Sequence, residues 1–148
     1  MSEHRARIIW DRGDDPFEYE LYSRCHLWRF ENGIEVQASA ATQFLGSADR
    51  LDPEEAYVAS ISSCHMLTFL AICARKRIKV DRYNDAAVGF LDKNQAGRLA
   101  ITRVVLAPAI TFGGSVPSER IIRKIHGLAH SECFIANSVT TEISISVD

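Results

Sequence analysis

At 148 residues the chain has the usual size of one domain and can bury an ordinary apolar core without disulfide or metal staples. Hydrophobic residues make up 47% and charged residues 24%, a globular balance that excludes a disordered or fibrous chain. The formal net charge of -2 offers no basic face to displace counterions, so nucleic acid is not an expected partner.

The opening MSEHRARIIW is charged from the start and lacks the apolar run and cleavage site of a secretory signal. A cytoplasmic protein is expected. The segments from His4 to Trp10, Tyr19 to Phe30 and Ile34 to Ala40 read as strands, with Glu31-Asn32-Gly33 turning between the last two, as in an antiparallel meander.

Asp52-Pro53-Glu54-Glu55 then signals a helix start. Asp52 can accept from the unpaired N–H groups, Pro53 suits the first helical position and Glu55 completes a capping box. The helix is expected to run to about Lys76, where Arg75-Lys76-Arg77 complements the negative pole of its dipole and Ile78 and Val80 return the chain to extended form. Its apolar stretch, Ala56 to Ala74, is interrupted by Ser60, Ser62, Ser63, His65 and Thr68, whereas a membrane span needs roughly 20 mostly apolar residues. It reads as a buried helix, and no membrane partner is expected.

Val80 to Asp92 and Arg98 to Phe112 alternate as two strands of a hairpin around Lys93-Asn94-Gln95-Ala96-Gly97. Gly113-Gly114-Ser115 breaks the pattern. Pro117 can open a second helix, with Ile121, Ile125, Leu128 and Ala129 on one face, running to about Glu132. Thr140 to Val147 alternates as a last strand. The order βββ-α-ββ-α-β over a single domain, 1–148, argues for an α+β class, with helices packed on a mostly antiparallel sheet. A first helix apolar on all sides requires cover by sheet, by the second helix and by another subunit, and a homodimer satisfies that requirement.

Four cysteines without a secretory signal point to reduced, catalytic or metal-binding thiols rather than a disulfide framework. Ser62-Ser63-Cys64-His65-Met66-Leu67-Thr68 sets Cys64 in mid-helix, where the dipole gives a thiolate little help; taken alone, the segment reads as packing. Ala129-His130-Ser131-Glu132-Cys133 sets Cys133 at the end of the other helix. One buried thiol and one near a helix end meet the requirement of a peroxidatic and resolving pair. Cys64-His65 with His130 and Cys133 also offers two thiolates and two imidazoles for zinc, although helical neighbours diverge by about 100°. A non-catalytic module whose cysteines merely pack is a further alternative.

The Asp52-Pro53-Glu54-Glu55 helix start, the Ser63-Cys64-His65-Met66-Leu67 run within that helix, and Ala129-His130 with Cys133-Phe134-Ile135-Ala136-Asn137-Ser138 together resemble the OsmC/Ohr proteins. Members of that family include organic hydroperoxide resistance proteins. The resemblance covers most of the chain and implies an OsmC-like fold, an intertwined homodimer and two active sites at the subunit interface. It implies a thiol peroxidase with Cys64 peroxidatic and Cys133 resolving. An acidic residue and an arginine stand near the thiol in the family: Glu54 matches the acidic position, and the arginine is Arg24, in the strand before Asn32-Gly33, or Arg50, in the loop before the helix, with Arg24 preferred.

The reaction so implied takes a hydroperoxide as substrate and an external dithiol as reductant, and calls for no metal, haem or flavin cofactor. Met66, Leu67 and Phe134 would supply an apolar lining that favours organic hydroperoxides. The Cys64-His65 pair departs from the best-studied branches of the family and leaves peroxide preference open. Cys25 and Cys73 are expected to be structural, and His65 and His130 either to hydrogen-bond near the thiol or to satisfy backbone groups. His4, His26 and His126 show no motif.

Overall fold

The computed structural model describes residues 1–147. The chain divides into two compact units, Met1–Ala56 and Tyr57 onward. In the first, β1 (Ala6–Ile9), β2 (His26–Phe30) and β3 (Glu35–Ala38) form the expected antiparallel meander. The strand expected from Tyr19 begins only at His26. The chain turns instead at Glu18, whose carbonyl accepts from the Leu21 and Tyr22 amides. A cluster of Trp10, Phe17 and Tyr22 and the Trp10 indole bond to the Ser23 carbonyl hold that turn.

Helix α1 (Pro53–Arg75) starts where the capping box predicts: the Glu55 amide donates to Asp52 at 2.7 Å, and the Asp52 amide donates back to Glu55 at 3.4 Å. Its end is a Schellman turn. The Ile78 amide reaches the Cys73 carbonyl, the Arg77 amide reaches that of Ala74, and Arg77 takes a left-handed conformation at φ 59°.

The expected hairpin is present but bent into two pieces. β4 (Val80–Asp85) pairs with β7 (Pro108–Phe112), and β5 (Val88–Lys93) pairs with β6 (Leu99–Leu106), both antiparallel. The break falls where Pro108 has no amide to donate and where the Asp85 carboxylate, rather than a strand carbonyl, accepts the Ala107 amide at 2.7 Å. The turn at the far end is closed by Asn94, whose side chain accepts from the Ala96 and Arg98 amides, with Gly97 at φ 73°.

Helix α2 (Glu119–Glu132) is capped by Ser118, one residue beyond the Pro117 expected to open it. β8 (Glu142–Ile145) joins the edge of β6 in parallel, whereas the other pairs of named strands are antiparallel.

The second unit has two cores strung along α1. Tyr57, Val58 and Ile61 pack with Val104, Leu106, Ile143 and Ile145 of the β5-β6-β8 sheet. Phe69, Ile72 and Cys73 pack with Ile125 and Ala129 of α2 and with Tyr83 and Ile110 of the β4-β7 pair. By length and composition α1 is apolar enough to cross a membrane, but one face of it is core. Along another face Ser63, Leu67 and Ala71 are exposed.

Candidate active site

Cys64 and Cys133 come together, from α1 and from the C-cap of α2. All four cysteines are free thiols. Cys133 is 1% exposed, whereas Cys64 is only half-buried and remains open to a small reactant. Burial pushes the Cys133 thiol up, and hydrogen bonding to Cys64 pushes it further. The Ala136 amide, donating to Cys133 Sγ at 3.3 Å, partly opposes this. Cys133 is therefore held protonated against its neighbour, beyond the reach of bulk oxidant. The bond from Ala136 is local: the chain turns through a short 3-10 helix at Ala136–Ser138, and the Asn137 amide reaches the Cys133 carbonyl.

Two large apolar side chains near the pair in the chain are exposed, Leu67, one turn after Cys64, at 61% and Phe134, next to Cys133, at 81%. Ser62, on α1, donates to Asp85, the carboxylate that also takes the Ala107 amide. Cys73 is buried, and burial pushes its thiol up, in keeping with a structural role.

Among the other expected site residues, Arg24 and Glu54 line one cavity of 490 Å³ in the first unit, with Trp10, Phe17, Tyr22 and Phe44. Arg24 is not in a strand as expected but in the turn before β2. Its guanidinium donates to the Tyr22 and Tyr19 carbonyls and lies 3.8 Å over the Tyr22 ring. Arg50 does not line this cavity and belongs to the loop of Asp49, whose carboxyl is held below the usual range chiefly by the Ser47 hydroxyl. Glu54 precedes Cys64 on α1 by nearly three turns, about 15 Å of helix rise.

His65 turns away from the thiols into the core, where its Nε2 meets His126 Nδ1 at 3.0 Å. His126, without a motif in the sequence, is thus the structural partner that sequence reading missed. The available signal was its position beside Ile125 on the apolar stripe of α2. Among the described residues no group of three or more His, Cys, Asp or Glu side chains is arranged to hold a metal ion, so the proposed zinc quartet does not assemble.

Comparison with known proteins places this geometry in context. A family model described as OsmC-like protein matches residues 46–148. A solved OsmC-like protein of unknown function from Vibrio cholerae is 45% identical over 100% of both chains, with a TM-score of 0.96. An organic hydroperoxide resistance protein OsmC from Legionella pneumophila is 14% identical, covering 99% of this chain and 98% of its own, with a TM-score of 0.73. An organic hydroperoxide resistance protein from Elizabethkingia anophelis is 16% identical, covering 100% and 98%, with a TM-score of 0.74. At those identities the last two show the fold alone. No curated protein matches the chain.

Proposed function

The chain belongs to the OsmC-like protein family, and from that premise we propose that it is a thiol-dependent peroxidase reducing organic hydroperoxides to alcohols. The observation that carries this reading is the pairing of a reachable Cys64 with a buried Cys133. The Cys64 thiolate attacks the distal oxygen of ROOH, the O–O bond breaks, and ROH leaves after taking a proton. Cys64 is left as a sulfenic acid. Cys133 then gives up its thiol proton and attacks the Cys64 sulfur, and that proton joins the expelled hydroxide so that water leaves and a disulfide closes. An external dithiol returns two electrons and two protons and is itself oxidised to a disulfide.

Leu67 and Phe134, exposed apolar side chains one turn from Cys64 and next to Cys133 in the chain, support an organic rather than a small polar substrate. Glu54 and Arg24 activate the thiolate in this reading. Both are supplied by a second copy in a homodimer, as the family resemblance implies for sites at the subunit interface. That copy would also cover the exposed Ser63, Leu67 and Ala71 face. The reaction needs no cofactor and suits a reducing cytoplasm.

The test is peroxide consumption by the reduced protein with a dithiol, comparing tert-butyl hydroperoxide with hydrogen peroxide. Cys64→Ser should abolish turnover, and Cys133→Ser should react once and over-oxidise. An inactive wild type would remove the reading, and equal efficiency toward the two peroxides would remove the organic preference.

A further inference from the structure

The two helices that carry the cysteines are tied together by a polar contact that the thiol chemistry does not use. His65 follows Cys64 on α1, and His126 lies about two turns before Cys133 on α2. Their rings meet Nε2 to Nδ1 at 3.0 Å, 6° from parallel, and Phe69 stacks on His126 at 4.4 Å between centroids. Both are buried, with 2% and 3% of their surface exposed.

Around this contact the interface is apolar: Phe69, Ile72 and Cys73 on α1 against Ile125 and Ala129 on α2. Apolar packing is non-directional and tolerates sliding by small steps, whereas a hydrogen bond between two ring nitrogens has one separation and one direction. A slide that breaks it leaves two polar nitrogens unpaired in the core, which makes alternative registers costly. A buried polar pair is well suited to fixing register.

Register matters here because the same two helices carry the cysteines: Cys64 is next to His65 on α1, and Cys133 is the C-cap of the helix that holds His126. Disulfide closure tolerates little: the Cα atoms must lie roughly 4.4 to 6.8 Å apart, so a slide of one helical turn, about 5.4 Å, takes the pair out of that range. We propose that the His65–His126 hydrogen bond is a positioning contact that sets α1 against α2 and thereby holds Cys133 in reach of Cys64 for disulfide closure. The purpose of that closure rests on the peroxidase reading, but the closure itself does not need peroxide. Two electrons and two protons pass from the thiols to any disulfide oxidant, which is reduced to its dithiol.

The test equilibrates the full chain with mixtures of reduced and oxidised dithiothreitol and reads the Cys64–Cys133 disulfide by alkylation and peptide mass. His65→Phe and His126→Phe keep a ring and lose the bond, whereas His65→Gln and His126→Asn place an amide where Nε2 and Nδ1 stood. The Phe variants should lower the closure constant about tenfold, and the amide variants should recover most of it. That rescue separates positioning from mere packing. If the Phe variants do not fold, His65→Leu/His126→Leu removes both polar partners, leaves none unpaired and carries the same expected fall.

Folded Phe or double Leu variants that close the disulfide as readily as wild type overturn the proposal, as does a wild type that never forms this disulfide. A wild type that closes it but consumes no peroxide removes the peroxidase reading and leaves this inference standing.

Discussion

Gly89 on β5 leaves to Val58 of α1 the space its own side chain would occupy: a Cβ there would stand 2.4 Å from Val58 Cγ2. The close approach seats the first half of α1 on the β5-β6-β8 sheet, beside the core of Ile61, Val104 and Leu106. Valine in a helix has one strongly preferred rotamer and gives way poorly. Gly89→Ala should cost about 1 to 3 kcal/mol. The urea midpoint measures it, and Val58→Ala in the same chain should recover part of the loss by reopening the space. No destabilisation would mean that helix and sheet are free to part.

At the other end of α1, Arg77 takes the left-handed position of the Schellman turn, where a side chain strains against its own carbonyl. Arg77→Gly removes that strain at the cost of a looser unfolded chain. A gain of up to about 1 kcal/mol is expected, read as a higher melting temperature. A fall would show that the Arg77 side chain contributes more than its backbone costs.

Acid should weaken the fold through the buried imidazoles. His65 is pushed from the ordinary 6.5 down to about 4, first by burial and then by the charges of His126 and His130 on α2, with Asp85 on β4 opposing. Burial also pushes His126 down, again with Asp85 opposing. Between about pH 6.5 and 4 the unfolded chain therefore binds more protons than the folded one. Stability contributed by neutral His65 is full above that window, falls as pH drops through it and is lost below it, roughly 3 kcal/mol in all. Denaturant midpoints measured across this range should show the slope, and His65→Gln should flatten it.

Thiol labelling should follow exposure and burial. Iodoacetamide on the reduced native chain is expected to reach Cys64 well before Cys73 or Cys133, both 1% exposed and both pushed up by burial. Peptide mass mapping over time gives the order. Labelling of Cys133 first would invert the roles assigned to the pair.

Local signals carried much of the fold. The Asp52–Glu55 capping box, the Asn94–Gly97 turn and the last strand depend on neighbours within a few residues; the first two form as read, and the strand forms over Glu142–Ile145 within the expected Thr140 to Val147. Readings failed where a distant partner decided. Tyr19 to Arg24 reads as the opening of the strand that runs to Phe30, but Trp10 and Phe17 gather Tyr22 into a cluster, and the chain turns there. The single hairpin became two paired segments because Asp85, as well as Pro108, interrupts the ladder.

The candidate site divides the same way. By itself the sequence determined the class of fold and the helices that hold Cys64 and Cys133, since these follow from capping and periodicity, and it carried the motifs whose resemblance to known proteins marks the family. Only the tertiary structure decided which thiol is buried, that Arg24 and Glu54 line one cavity while Arg50 does not, and that His65 pairs with His126. Burial and hydrogen-bond partnership are set by residues far apart in the chain, and no local pattern encodes which of several histidines a given imidazole will meet.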